Sequence, residues 1–337
     1  MSDDKERISI DDATDLIRRA LVTTGVNEVS ALSCAKALVA AEAEGQVGHG
    51  FSRLADYAAQ VKTGKVNGQA EPVVARPAPG TIEVDAGHGF AYPAMDAAID
   101  AGVAAALETG IASMSISRSH HCGALSLQVE KIAEAGCIGI MVANSPPAIA
   151  PWGAKEAVFG TNPIAFSAPR GDAPPLVIDL SLSRVARGKV MHAKKTGTSI
   201  PEGWALDADG QPTTDPVAAL AGTMVPIGEA KGTALALMVE VLAASLTGAN
   251  ISRDTGSFFT ADGPPPGTGQ FMLAIRPPDT EGFTDRLAVL LSLIEGLDGA
   301  RLPGTRRLSV RADAVENGLL VPRGYLEGAR QLAAGEG

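Results

Sequence analysis

Apolar side chains recur every three or four residues through the opening segment and then alternate in short runs, so the chain begins helical and passes into mixed α and β structure. Residues 11–21 and 27–44 read as two helices, with Asn27 as an N-cap and Gly25 and Gly45 where helix ends take a left-handed residue. A third helix is expected from Ser52 as its cap, because Leu54, Tyr57, Ala58 and Val61 mark one apolar face that stops at Gly64. That places Arg53 in its first turn and His49 just ahead of it. Strand-like runs at 81–85, 111–117, 138–143, 164–168 and 176–179 interleave with alanine-rich helical segments at 93–108 and 124–135. Beyond them, 185–195 and 231–246 read as helices and 271–276 as a strand. Gly- and Pro-rich loops are densest at 146–153, 263–269 and 277–282, and no internal repeat or low-complexity linker divides the chain.

Composition narrows the picture. A chain of 337 residues with 45% hydrophobic and only 4% aromatic content buries a substantial core of small aliphatic side chains, in two or three lobes. A formal net charge of -10 with no cluster of Lys and Arg argues against nucleic acid as a partner. Cys34, Cys122 and Cys137 form an odd set without Cys-x-x-Cys spacing, and the first residues are charged, which predicts a reducing, cytoplasmic setting. The most apolar helical stretch, 233–246, is broken by Glu240 and falls well short of the roughly 20 residues that span a bilayer, so no membrane span is expected.

His49 lies between Gly48 and Gly50, and Arg53 follows four residues later, on the same side if the bend passes into a helix. A group that titrates near neutrality beside a fixed fork of donors suits a small acid whose neighbouring carbonyl gains or loses a proton. The plainer reading is an exposed loop histidine and a solvated helix arginine. No G-x-G-x-x-G follows a strand and no Walker motif is present, which disfavours a standard Rossmann domain. Backbone N–H groups and cations on other Gly-rich turns can still hold a dinucleotide.

Ser119-His120-His121-Cys122-Gly123 joins an expected strand to an expected helix N-terminus, a place suited to an anion or cofactor, or simply a polar turn. His120, His121 and Cys122 are metal-ligand types, but consecutive residues project in different directions and do not converge on one ion. Gly160-Thr161-Asn162-Pro163 reads as a turn entering a strand, and Asp179-Leu180-Ser181 closes one, with Arg184, Arg187 and Lys189 following on a helical segment. Those cations suit an anionic ligand or form a solvated face. Glu229-Ala230-Lys231-Gly232 precedes an apolar helix, and Pro303-Gly304-Thr305-Arg306-Arg307 is expected to precede a short strand.

Taken in order, these segments, with Tyr57, Ala186-Arg187-Gly188-Lys189 and Pro201-Glu202-Gly203-Trp204-Ala205, resemble the type 2 malate/L-lactate dehydrogenase family, also known for ureidoglycolate, sulfolactate and ketimine reductases. The resemblance runs from about Ile10 to about Gln331. It implies a mixed α/β fold whose NAD(P)-binding domain is not a Rossmann fold but a largely antiparallel sheet with flanking helices, plus helical lobes, in a homodimer. The corresponding division is 1–75 for the N-terminal helical lobe, 76–120 for a mixed segment, 121–275 for the main cofactor-binding part and 276–337 for the return to the helical lobe. It further implies His49 as proton donor or acceptor, Arg53 as carboxylate clamp and Thr161 as a substrate contact. His121, Cys122, Gly123, Ala124, Leu125, Asp179, Leu180, Ser181, Ala230, Lys231, Thr305, Arg306 and Arg307 would line NAD or NADP, and no metal is implied.

Two residues depart from the family pattern. Members commonly carry serine before the histidine, and the ketimine-reducing branch pairs both with an aspartate near the position of Lys189. Here Gly48 and Lys189 stand instead, so a serine-to-carboxylate relay does not carry over, and Lys189 is expected to add positive potential at the site. The expected substrate is therefore a small anionic 2-oxoacid or 2-hydroxyacid of malate, lactate or sulfolactate type. A cyclic imino acid is the alternative. An enzyme of another class, a metal-dependent lyase or hydrolase using His49, His120, His121 and Asp179, would carry stoichiometric metal.

Overall fold

The computed structural model describes residues 4–336. After a short strand β1 (Lys5–Ile8), helix α1 (Ile10–Thr23) buries Ala13, Leu16, Ile17, Ala20 and Leu21, one stripe at helical spacing, against α2 (Glu28–Ala43). Ser9 caps the first by accepting from Asp12 N at 3.0 Å, and Asn27 caps the second by accepting from Ser30 N at 2.8 Å. Two 3-10 turns, Val47–His49 and Phe51–Arg53, then lead into α3 (Leu54–Lys62). Ser52 does not cap that helix. Its hydroxyl donates back to Val47 O at 2.6 Å, and Arg53 occupies the cap position, so His49 and Arg53 each close a tight turn of their own.

The chain next forms β2 (Val73–Ala78), β3 (Thr81–Asp85), α4 (Ala91–Thr109), β4 (Ile111–Ser119), α5 (Leu125–Glu134), β5 (Ile138–Ala143), β6 (Ile164–Arg170) and β7 (Ala173–Leu180). A smaller unit follows: α6 (Arg187–Thr196), β8 (Ala205–Leu206), β9 (Pro212–Thr213), α7 (Pro216–Ala221) and β10 (Thr223–Met224), with the three strands ordered β10-β8-β9. Helix α8 (Ala230–Glu240) runs into a π-helical segment, Val241–Ser245, before β11 (Thr268–Ile275), α9 (Thr280–Glu295), α10 (Thr305–Asn317), β12 (Leu319–Pro322) and α11 (Arg323–Ala334).

Seven strands form one sheet in the order β2-β3-β4-β11-β5-β6-β7. Only β3 and β4, joined through α4, are parallel, and every other neighbouring pair is antiparallel. The sheet continues through the expected boundary at 120, so segments 76–120 and 121–275 share it. Period-two alternation gives it two buried faces. Met272 and Ala274 of β11 join Met95, Ala98, Val129 and Ile132 of α4 and α5, whereas Phe271 and Leu273 face Ala236, Val239 and Ala243 on the other side. The widened π turn lies directly over the start of β11, where a Cβ on Gly269 would stand 1.8 Å from Ala243 O.

The segment after Pro303 is a helix, not the expected strand. Leu308, Ser309 and Val310 alternate as a strand would, but Arg307 and Arg311, one turn apart, reach the same two carboxylates, Glu44 at the C-cap of α2 and Glu130 of α5. Only helical spacing brings residues four apart onto one partner. With α11 packed on α1, the C-terminal segment returns to the opening helices, while α9 rests against β6. Among the described residues no helix is long and apolar enough to cross a membrane.

Candidate active site

The strand directions set the location. Strands β3, β4, β5 and β7 end, and β6 and β11 begin, at one end of the sheet, so His120, Thr161, Ser181 and Thr268 all lie at that edge. Such an end is where loops converge to build a ligand site.

His49 stacks on His121, with ring centroids 5.3 Å apart and planes inclined by 17°. Its Nδ1 is buried and has no hydrogen-bond partner among the described residues. Arg53 donates from Nε to Gly48 O at 2.7 Å and lies over the Phe259 ring at 4.5 Å, which fixes the guanidinium plane and leaves Nη1 buried and unpartnered. Behind them, His121 Nδ1 lies 2.6 Å from the Tyr57 hydroxyl, itself 3.0 Å from that of Tyr92. Gly123 admits this pair, since a Cβ there would stand 2.6 Å from the Tyr92 oxygen, and its φ of +67° is one that glycine adopts without strain. Rings of Tyr57, Phe90 and Phe258 surround His120, and neither of its nitrogens has a partner among the described residues.

Burial, reinforced by the Arg53 charge, pushes His49 down to about 4. Burial, then Lys65 and Arg53, takes His120 to about 3, and burial holds His121 well below its ordinary value. Three neutral imidazoles therefore stand around one fixed cation at neutral pH. Burial also raises the Cys122 thiol to about 12, so it is an inert wall residue and no nucleophile. Among the described residues no three His, Cys, Asp or Glu side chains are grouped to hold a metal ion.

The aromatic wall comes from far along the chain. Lys65 Nζ donates to the carbonyls of Ser257, Thr260 and Asp262 at 2.7, 2.9 and 3.0 Å, and Gln60 Nε2 donates to Phe258 O at 2.9 Å. These bonds pin the loop that carries Phe258 and Phe259. Sequence reasoning did not assign Tyr92, Phe258, Phe259 or Lys65 to the site, and no local motif marks them.

Thr161 lies at the sheet end but bonds elsewhere, donating from its amide to Ser145 Oγ at 3.0 Å and accepting from Leu182 N at 2.8 Å. Asn162 next to it, buried with φ of +39°, donates to Ala236 O at 3.0 Å and Glu240 Oε2 at 2.9 Å, which ties the turn to α8. Lys189 is exposed on the first turn of α6, its ammonium 5.9 Å from the Trp204 ring centroid, and it makes no direct contact with His49 or Arg53. Arg118 is paired with Asp85, and Arg184 donates to Gly203 O at 3.0 Å.

Most of the segments expected to line a dinucleotide converge beside the β7 end of the sheet. His121 to Ala124 form the buried loop ahead of α5, Leu125 opens the helix, and Asp179 Oδ2 accepts from Ser126 N at 2.8 Å, which joins the first turn of α5 to β7. Leu180 and Ser181 follow on the same strand end, where Ser181 Oγ lies 2.7 Å from Ser183 Oγ. Ile227 N donates to Leu182 O at 2.8 Å, which brings Ala230 and Lys231 at the start of α8 alongside. Gly304 approaches Val177 O so closely that a Cβ would stand 3.3 Å away, which sets the exposed Thr305 and Arg306 beside the middle of β7, not at its end. Arg307 differs from the expectation. Its guanidinium is taken up by Glu44 at 2.7 Å and Glu130 at 2.9 Å and is not free for a phosphate.

A family model described as malate/L-lactate dehydrogenase matches residues 8–328. The chain is 46% identical over 327 residues, 97% of its length and 98% of the relative's, to a (2R)-3-sulfolactate dehydrogenase (NADP(+)) of Chromohalobacter salexigens. It is also 40% identical over 333 residues, 97% of this chain and 96% of the other, to a Delta(1)-pyrroline-2-carboxylate/Delta(1)-piperideine-2-carboxylate reductase of Pseudomonas putida. The crystal structure of delta1-piperideine-2-carboxylate reductase from Pseudomonas syringae pv. tomato superposes with a TM-score of 0.92 at 37% identity, covering 97% of this chain and 99% of that one. With the seven-stranded sheet and end-to-end similarity in agreement, the chain belongs to the malate/L-lactate dehydrogenase family.

Proposed function

We propose that the protein catalyses reversible hydride transfer between NAD(P) and C2 of a small 2-oxoacid, with Arg53 holding the carboxylate and His49 exchanging the proton. One observation carries the reading: His49 Nδ1 and Arg53 Nη1 are both buried without partners among the described residues, and the Arg53 charge acts on the His49 ring. Each unpaired buried polar group costs about 1–3 kcal/mol, a cost that a carboxylate and an adjoining oxygen relieve. With Nε committed to Gly48 O, Arg53 offers its remaining donors in one orientation and so selects one pose of the substrate. Neutral His49 takes the hydroxyl proton in oxidation. Burial is the larger cause of the low His49 value and the Arg53 charge the smaller; in reduction, a carboxylate on Arg53 offsets the second and favours the imidazolium, which then delivers its proton to the developing alkoxide.

The dinucleotide would be held by the segments His121 to Leu125, Asp179 to Ser181, Ala230, Lys231, Thr305 and Arg306; bound there, it supplies or accepts the hydride. Lys189, exposed over Trp204, is assigned no proton transfer. A test is NAD(P)H oxidation monitored with pyruvate, oxaloacetate and sulfopyruvate beside piperideine-2-carboxylate. Turnover of an oxoacid supports the reading, and turnover of the cyclic imine alone overturns it. The imine reading draws on the Phe258 and Phe259 wall, which suits an apolar ring, whereas Gly48 favours the oxoacid by leaving His49 without a neighbouring hydroxyl. Arg53→Lys keeps the charge but loses the planar fork, so KM is expected to rise more than kcat falls. An unaltered KM counts against the clamp.

A homodimer is part of this proposal. Val289, Leu290 and Leu293 of α9 form an apolar stripe, 63%, 54% and 66% exposed, that a second copy would cover. Light scattering at twice the chain mass is the expected result. A cytoplasmic setting is supported by the three buried, free cysteines.

A further inference from the structure

The turns that carry His49 and Arg53 are joined at Gly50, ahead of Phe51, and the joint rests on an acid. Glu42, in the last turn of α2 and 7% exposed, accepts from Phe51 N through Oε2 at 2.9 Å. That amide opens a 3-10 turn and needs an acceptor from outside it. The approach is so close that a Cβ on Gly50 would stand 2.0 Å from the same oxygen and 3.0 Å from Glu42 Cβ. Across the turn, Arg53 Nε closes onto Gly48 O. The pair is thus braced from both sides. We propose that Glu42 is a positioning residue, fastening the Phe51 amide so that His49 and Arg53 hold a fixed separation, a role that rests on the reaction assigned to that pair above.

The brace is sensitive to protonation. Burial raises the Glu42 carboxyl to about 7, against the Phe51 amide and the charge of Lys5 on β1. Other charged or titratable groups on the surrounding segments include His49 and Arg53 on the turns, Glu44 at the C-cap of α2, held by Arg307 and Arg311 of α10, and, on α11 against the second turn, Tyr325, Glu327, Arg323 paired with Asp4 and Arg330 paired with Glu6. As pH falls through this range the carboxylate loses its charge and the Phe51 amide its charge-assisted bond.

Glu42→Ala is expected to lower kcat/KM roughly 10²-fold, the scale of a small misplacement of reacting groups, and to weaken oxamate binding, measured by calorimetry with NADP present, about tenfold. Glu42→Gln keeps an oxygen acceptor and most of both, but is expected to lose the inflection near 7 expected of the parent in kcat/KM against pH. A merely structural role lowers the melting temperature of both variants and leaves that inflection in place, which overturns the proposal. Parent-like oxamate affinity in Glu42→Ala overturns it as well. Should Glu42→Ala not fold, Gly50→Ala presses on the same carboxylate and is expected to show the same loss. A parent protein that reduces none of the oxoacids or imines refutes the reaction, while the oxamate comparison still decides Glu42.

Discussion

Replacing His49 with alanine is expected to slow turnover about 10²–10⁴-fold in both directions and to leave nucleotide affinity unchanged. The imidazole stacks on His121 and feels the charge of Arg53, so the substitution removes the proton carrier while both neighbours remain. Because burial and then Arg53 hold His49 at about 4, the free protein carries it as a ready base at neutral pH, and its own inflection in kcat/KM for oxidation should fall near that value, separate from the one near 7 expected of Glu42. Reduction needs the imidazolium, so its rate should fall as pH rises. Stability follows the same proton. A folded value of about 4 lies below the ordinary 6.5, so the unfolded chain binds more protons between the two, and stability is lost as pH falls through that window. Undiminished turnover in a nicotinamide absorbance assay removes His49 from the chemistry.

Arg307→Met is expected to cost about 3–5 kcal/mol of folding stability, because it breaks a buried ion cluster and leaves charge behind. The side chains of Arg307, Glu44 and Glu130 are only 10%, 1% and 6% exposed. Burial alone would raise the Glu130 carboxyl, but the bonds from Arg307 and Arg311 outweigh it and hold the group below its ordinary value. Without Arg307, two buried carboxylates share Arg311 alone. Arg306→Met is the control, since that residue is exposed at the start of the same helix and should shift stability by at most about 0.5 kcal/mol. Urea midpoints separate the two, and equal midpoints would show that Arg307 carries no structural load.

Local order was legible where a cap or a strict period announced it. Ser9, missed as a cap, merely lengthened α1 by a turn's fraction, whereas Asn27 marked α2 correctly, and β3 and β5 lie at the expected residues. His49 and Arg53 were legible as a pair because glycines flank one and four residues separate them. The two tight turns were not, because Ser52 has the chemistry of a cap and turns its hydroxyl back to Val47 only in the folded chain. Strands of two residues such as β8 carry no period to detect, and β1 becomes a strand only through β12 at the far end of the chain. The aromatic wall is hidden for the same reason: Lys65 finds the Ser257 carbonyl across 192 positions, and nothing near either residue hints at the other. Arg307 shows the opposite hazard, a cation that suits a phosphate by its neighbours yet answers two carboxylates elsewhere.

Strand β11 pairs on one side with β4 and on the other with β5, although both are complete by residue 143 and β11 does not end until Ile275. As the chain emerges from synthesis, two bare strand edges wait for a segment more than a hundred positions later, and until then each is open to pairing with other chains. The two halves of the sheet are consequently one folding unit. A chain cut before Thr268 lacks its keystone strand and is expected to aggregate, so the loops at the sheet end, and the chemistry they frame, become possible only once Ile275 has been added.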